Sequence, residues 1–539
     1  PPAWAKTYPD EDSLRYRRHH GNIESGYWWI EVGHPYDTIV ENEQLRDVIL
    51  AHVLGVWDHI KNHCEQRERA ANFALDWVGM VPGKRESRRF IGDYVLKHQD
   101  IQQRRLFEDR VGFGGWEIDD HTKEGILDTT KKPSFEGVRH RDYFVAPYSV
   151  PYSCMTTPET LNLLLAGRIL SASRLAFNSL RVMETLAALG EAAGLGAAIA
   201  AAGDEPADVH LRQADIARLQ QAILRRGLYI PRQVNQDADD LARQAVLTAS
   251  SEASFVARPD EEGMSLREPL AQLVPIGAPG RATVSAWLRH VGDQAVDMQA
   301  RLCRAQDIWD LPPLSTPPAS GRGPQARTIS IEPGHSGPAS WSFEGVEPGI
   351  YWLRIDAVDQ PVTWLYAQDD IPGTTAAAYT EERWWFAPHP FTRWRNLMVD
   401  VTPDPGYYDA CQATSGVSRP EQWSNLWRSD PAAPLPQWIE LRWPEPVEMG
   451  RVECVFDAEI KQPARENPPL YRHPSCVRDL EVWVERRGSL DLIASLRGNV
   501  QRRRVITFDP VVTSRLRLSI LATHGSPDAR VYEARVYRG

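Results

Sequence analysis

The chain has 539 residues, with 61 Lys and Arg against 72 Asp and Glu and a net charge of −11. That balance argues against a nucleic acid or an anionic membrane surface as its main partner, local patches aside. No apolar run approaches the roughly twenty residues that cross a bilayer, and the length allows three or four domains with substantial cores.

In chain order, residues 42 to 64 predict an amphipathic helix, with Leu45, Val48, Ile49, Val53, Val56, Trp57 and Ile60 on one face. His52, His59 and His63 also recur at near-helical spacing, but no Glu stands where a His-Glu-x-x-His motif needs it, so no metal site is assigned. A second helix is expected over 85 to 97, after the Pro82-Gly83 turn. There Arg85, Arg88 and Arg89 would share one side, either as a solvated, salt-bridged face or as a grip on an anionic or polyhydroxylated substrate or a cofactor. Trp116-Glu-Ile-Asp119-Asp120-His121 follows a Gly-Gly turn, a geometry that places side chains in a cleft. His121 is the candidate for proton transfer, because its ordinary pKa lies near neutrality, with Asp119 to orient it. The bland alternative is a hydrogen-bonded surface histidine. Tyr27, Trp28 and Trp29 read as a wall of the site or core.

Leu163 to Leu165 predict a short buried strand ending at Ala166-Gly167-Arg168. From about Ser179 the pattern turns helical through Val182, Met183, Leu186, Leu189 and Ala193, with Asn178 or Ser179 as cap. Small residues from Ala187 to Gly196 would let this helix approach a neighbouring backbone. Helical text continues to Gly227 and Pro231, where it stops. Beyond about 245, short runs rich in Val, Ile, Tyr and Trp alternate with Pro/Gly turns. Those at 282, 328, 339, 349 and 361 read as strands of a β-sandwich, with 312 to 326 a long loop inside it. A second all-β unit is expected over 393 to 539.

The run "NLLLAGR" and "SASRLAFNSLRVMETLAALGEAAGLGAA", together with "NIESGYWWIEVG" at 22–33, "ALDWVGMVPGKRESRRFIGDYVL" at 74–96, "FEDRVGFGGWEIDDH" at 107–121 and "PYSVPYSCM" at 147–155, resembles a large bacterial family of FAD-dependent oxidoreductases. That family is related to the fumarate reductase flavoproteins and often loosely named after xanthan lyase. The likeness covers about residues 10 to 200. It implies that backbone groups of Arg181, Val182 and Met183, at a helix start, face the flavin ring, and that Gly167, Arg168 and Ser171 approach the ribityl-pyrophosphate portion of FAD. Arg168 departs from the Glu usual in fumarate reductase relatives.

The family's opening ADP-binding fingerprint is absent: Gly112-Phe-Gly114-Gly115 is followed by Trp116, and Gly194-Leu-Gly196 lies within a helix. The chain begins Pro-Pro-Ala-Trp, so it reads as a fragment, a processed product or one piece of a split protein. The FAD-binding segment is then supplied upstream or as a separate chain, and FAD binding by this chain alone is not expected.

"ATSGVSRPEQWSNLWRSDPAAPLPQWIELRW" at 413–443, with the strands that follow it, resembles galactose-binding-like or discoidin-type jelly rolls. Many such modules hold sugars at loop tips, and Trp423, Trp427 and Arg428 stand in such a loop. Packing against the sandwich edge is the alternative role for them.

The fold class expected is multidomain α+β: a partial flavoprotein, comprising a substrate domain and closing FAD segment (1–232), then a helical linker and β-sandwich (233–392), then a galactose-binding-like β-sandwich (393–539). The function implied is hydride transfer from a small molecule, a carbohydrate or a glycoside to FAD. A non-catalytic carbohydrate-binding or interaction protein is the alternative. Polysaccharide lyase chemistry ranks below both, since no neutralising group is organised beside a Tyr or His base. The six cysteines, Cys64, Cys154, Cys303, Cys411, Cys454 and Cys476, form no Cys-x-x-Cys pair. They read as scattered buried thiols, with a disulfide among the last three as the alternative. This usage fits a bacterial cytoplasm and an exported protein equally.

Overall fold

The apolar spacing of residues 42 to 64 produces helix α1 (Asn42–Asp58), which runs on into a π-helical turn at His59–His63. Its buried face packs with Tyr8, Leu14, Ala70 and Ile126 into a small core. Gly55 is required there, because a Cβ would stand 2.2 Å from the Lys6 carbonyl oxygen. The computed structural model describes residues 1–17, 30–132, 145–203, 208–312, 325–380, 383–387, 395–458 and 472–539. Tyr27, Trp28 and Trp29, and most of the loop expected over 312–326, lie outside the described residues. The chain divides into two units, Pro1–Ile223 and Leu224–Gly539.

In the first unit, short helices α2 (Arg67–Ala70) and α3 (His98–Gln102) precede an antiparallel pair, β1 (Arg110–Gly114) and β2 (Tyr148–Pro151). The helix expected over 85–97 does not form. Instead the amides of Phe90, Asp93, Tyr94 and Leu96 donate to the carbonyls of Ile169, Thr156, Ser153 and Ser171. Gly92 permits this contact, since a Cβ would meet the Thr156 oxygen at 2.7 Å. Long-range pairing overrides a weak helical propensity.

Leu163–Leu165 is likewise no strand; Leu165 is buried and donates to Met155, while Leu163 is exposed. The helical stretch after it begins earlier than its periodicity implies. Helix α4 (Arg174–Leu180) is capped by Ser173, whose hydroxyl accepts from the Ala176 amide. A 93° bend at Arg181-Val182 then leads into α5 (Met183–Ala201). Asn178 and Ser179 therefore lie inside α4 rather than capping α5.

Helix α5 crosses β1 and the turn after β2. A Cβ on Gly112 would meet Leu189 at 2.8 Å, and one on Gly196 would meet the Tyr152 hydroxyl at 2.7 Å. Gly190 and Gly194 face open space instead, so only part of the small-residue set serves close packing. Helix α6 (Gln213–Arg225) ends at Gly227, whose φ is +87°. No single helix among the described residues is long and apolar enough to cross a membrane.

The second unit is built from β-strands. Strand β3 (Val246–Ala249) comes first, and then a sandwich begins with β4 (Pro259–Ser265), β5 (Leu270–Ile276), β6 (Gly280–His290) and β7 (Val296–Arg304). It continues through β8 (Gln325–Ile331), β9 (Ser336–Val346), β10 (Gly349–Ile355) and β11 (Val362–Ala367), and closes with β12 (Ala376–Thr380), β13 (Arg383–Ala387) and β14 (Val399–Thr402). One layer orders as β13-β12-β5-β10-β7-β8, the other as β14-β6-β11-β4, with β9 also paired to β6. Burial alternates along β6, as expected of a strand with one wet face. Trp341, Trp352 and Trp364 are fully buried, and each indole N–H donates to a backbone carbonyl, which satisfies the one polar atom that burial would otherwise strand.

The remaining strands are β15 (Trp427–Arg428), β16 (Gln437–Phe456), β17 (Val477–Arg486), β18 (Ser489–Leu496), β19 (Arg503–Thr523) and β20 (Arg530–Tyr537), ordered β15-β20-β16-β19-β17-β18. Strand β3 pairs with β16 through Ile439–Arg442. Residues 246–249, expected within the 233–392 linker and sandwich, thus belong to this last sheet, and the sandwich of β4 to β14 is inserted between β3 and its partner. The described part of that linker holds one 3-10 turn, Leu241–Gln244. The overall class is multidomain α+β, dominated by β-sandwich sheets. All six cysteines are free and all but Cys411 are buried, so no disulfide joins Cys411, Cys454 and Cys476.

Candidate active site

The loop after β1 carries Trp116 to His121, and α4 holds it from below. Asp120 is fully buried and its Oδ1 accepts from Arg174 at 2.5 Å and from Asn178 at 2.8 Å. Ser179 donates to the Trp116 carbonyl and stands 2.9 Å from the Tyr148 hydroxyl. With Asp120 turned inward, its neighbours Asp119 and His121 turn the other way, into a cluster of charges.

His121 sits between two carboxylates, its Nδ1 2.6 Å from Glu31 and its Nε2 2.9 Å from Asp119. Arg85 pairs with Glu31 and lies 3.9 Å from Asp119 Oδ2, the oxygen to which Arg181 donates at 2.8 Å, while Oδ1 faces His121. Arg85 also stands 3.0 Å from Nδ1; a guanidinium has no acceptor, so the Nδ1 proton goes to Glu31. Burial disfavours the imidazolium, but the hydrogen bonds and charges of Asp119 and Glu31 together outweigh it and raise the His121 pKa. For Glu31 and Asp119 burial acts upward, and it is overcome by His121 with Arg85 for the first and with Arg181 and Arg85 for the second, so both carboxylates titrate below their ordinary range. An acceptor on each ring nitrogen favours the imidazolium form of His121, which would then stand with Arg85 and Arg181 against Glu31 and Asp119.

Of the residues singled out from sequence, Arg85, Asp119, His121 and Arg181 meet in this cluster. Arg181 joins through its side chain, whereas the family resemblance implied a role for its backbone. Arg88 is exposed and does not join, because the helix that would have aligned it with Arg85 is absent. Gly167 has a φ of +81° and open space where a Cβ would stand, and Arg168 is exposed, reaching 3.5 Å to the Arg85 carbonyl. Ser171 is fully buried, with its backbone held by Leu96 and Cys154, so its side chain has no open face toward a ligand. Val182 is the N-cap of α5, with φ −69° and ψ 143° and no side-chain cap; Met183 opens the helix and is 80% exposed. Glu31, which lies 54 residues from Arg85 and 90 from His121, was not singled out, and no local spacing marks it.

In the second unit, Trp427 is fully buried, with its indole N–H donating to Ser251, and Arg428 is buried against Asp528 at 2.5 Å. The packing role therefore holds for both, and neither stands at an open loop tip. Trp423 lies edge-on to the buried ring of Tyr407.

Residues 3–223 match the family model described as FAD dependent oxidoreductase. The match ends at Ile223, where the first unit also ends. No curated protein matches the chain. Among solved structures, the chain is similar to CpGH89CBM32-5 from Clostridium perfringens, in complex with GalNAc-beta-1,3-galactose, at 16% identity, covering 24% of this chain and 83% of that one with a TM-score of 0.19. It is also similar to the family 32 carbohydrate-binding module from Streptococcus pneumoniae EndoD, at 21% identity over 22% of this chain and 77% of that one, with a TM-score of 0.18. A third neighbour is the family 32 module from C. perfringens NanJ in complex with galactose, at 17% identity over 24% of this chain and 86% of that one, with a TM-score of 0.19. The first unit is thus similar to FAD-dependent oxidoreductases.

Proposed function

We propose that the first unit forms the substrate side and the flavin-facing wall of an FAD-dependent oxidoreductase that oxidises a carbohydrate or glycoside. The observation that carries this reading is the coincidence of the family match with one compact unit. A second supports it. Trp77, Met80, Val81, Phe90, Ile91 and Met183 are all exposed, Trp77 by 78% and Val81 by 86%, large apolar side chains of the kind that interaction surfaces present. In this reading a dinucleotide-binding segment from outside the described residues covers that surface, on the same chain or on a separate one. The substrate class rests on the galactose-binding-like resemblance of the C-terminal strands.

The residues fit a flavin at the start of α5, where the N-cap side chain makes no bond and Met183 lies open, so the first-turn amides and the positive end of the helix face outward. Gly167 and Arg168 fit as flanking groups; Ser171, being sealed, does not. FAD, held there, would supply the hydride acceptor for oxidation of the substrate. The guanidinium groups of Arg85 and Arg181 hold an anionic or polyhydroxylated substrate beside it. For His121 to take a substrate proton it must first be deprotonated and released at one nitrogen. Asp119 can swing fully onto Arg181, which already holds its other oxygen, and leave Nε2 to the substrate.

The test is Met183→Pro in the flavin-loaded protein. Proline is tolerated at the first helical position, and Val182 already has the extended conformation that a residue before proline adopts. The variant should keep its helical circular dichroism and lose one amide donor, weakening flavin binding by about 1 kcal/mol, several-fold in Kd. Unchanged flavin affinity would remove α5 from the flavin site.

A further inference from the structure

We infer that Glu11, His59 and Cys64 form a binding site for a divalent cation of the zinc class, separate from the charge cluster and independent of the flavin reading. Their ligand atoms, one carboxylate oxygen, one imidazole nitrogen and one thiol sulfur, lie within 4.8 Å of one another. His59 and Cys64 are buried and Glu11 is half-buried. The chain brings them together by two local devices. The π-helical turn closes with the Cys64 amide donating to the His59 carbonyl at 2.7 Å, which carries the two side chains to the same side. π-Turns of this kind recur at functional sites. Asp10 caps the 3-10 turn Glu11–Leu14, and the Glu65 amide donates to the Glu11 carboxylate at 3.0 Å, which holds Glu11 over the turn.

The histidine is oriented as a ligand. Its Nδ1 lies 2.9 Å from the Tyr8 carbonyl, an acceptor only, so Nδ1 carries the hydrogen and the lone pair of the neutral ring is on Nε2. A backbone carbonyl on the far nitrogen is the usual support of a metal-bound histidine. Nε2 points at Glu11, 3.9 Å away. Tetrahedral zinc, with bonds of about 2.0 to 2.3 Å, puts ligand atoms roughly 3.5 Å apart, so closure from separations within 4.8 Å needs about 1 Å of side-chain movement. Sulfur and nitrogen ligands select zinc-class cations over calcium or magnesium. Three protein ligands leave a fourth position for water. Cys64 binds as the thiolate, so each ion releases the thiol proton to solvent. Bound metal would tie the N-terminal segment to α1.

The full chain, dialysed against chelator and carrying Cys411→Ser to remove the one exposed thiol, is titrated with Co(II) and then Zn(II). The expected result is one ion per chain, an intense thiolate-to-cobalt charge-transfer band and tetrahedral visible absorption, both displaced by zinc. Cys64→Ser should abolish the charge-transfer band. Glu11→Gln, at a half-exposed position that leaves the fold intact by circular dichroism, should weaken zinc binding at least ten-fold. Cobalt binding without a thiolate band, no binding, or wild-type affinity in Glu11→Gln would each overturn the site.

Discussion

Replacing Glu31 with Gln isolates the charge balance of the cluster. The variant keeps the shape and one acceptor but removes a negative charge that pairs with both Arg85 and His121. Hydrogen bonds to charged groups contribute about 1.5 to 3 kcal/mol each. The retained amide oxygen and the partly exposed Arg85 reduce the loss, so the expected cost is about 2 kcal/mol at pH 6. His121 has a raised folded-state pKa, so its pairing stabilises fully below its ordinary value near 6.5 and is lost as pH rises through the folded value. Once pH has risen through that raised folded value the imidazole is neutral and only the Arg85 pair is missing, so the cost should fall to about 1 kcal/mol. Glu31 and Asp119 have lowered pKa values, so their contribution acts above the ordinary carboxylate range and fades as pH falls through the folded values. Urea unfolding of the full chain at pH 6 and pH 9, followed by tryptophan fluorescence, measures the difference, and carbon-13 NMR of His121 should show its pKa falling in the variant. An equal cost at both pH values would refute the imidazolium assignment.

Trp427→Ala should destabilise the second unit by about 3 to 5 kcal/mol, read as a lower urea midpoint, because the ring is fully buried beneath its bond to Ser251. Asp528→Asn leaves Arg428 and Arg530 buried without their shared anion. It should cost about 3 kcal/mol, again by urea unfolding, while a neutral effect would mean that Asp457 and Asp370 suffice for Arg530.

The sequence disclosed elements whose periodicity and burial agree. Helix α1, the stop of α6 at Gly227 and the alternating strands after 245 were legible because one buried face decides each. Segments held by distant partners were not. Residues 85–97 carry helical spacing, yet the amides of Phe90, Asp93, Tyr94 and Leu96 serve carbonyls 59 to 79 residues away. Strand β3 is too short to read as part of a sheet whose other strands follow an inserted sandwich. At the candidate site the local grouping of Asp119 and His121 was visible. Glu31 and the side chain of Arg181 enter only through tertiary contact. The same holds for Glu11, which joins His59 from 48 positions upstream. Arg88 and Ser171 stand apart from the cluster for different reasons: Arg88 lies exposed in a segment that forms no helix, and Ser171 is fully buried.

The visible absorption spectrum of the protein, purified with all the coding sequence its gene supplies, tests the central claim most directly. The account predicts a bound flavin that survives gel filtration and is bleached when a sugar substrate is added without oxygen. A folded, colourless protein that takes up no added FAD would contradict it.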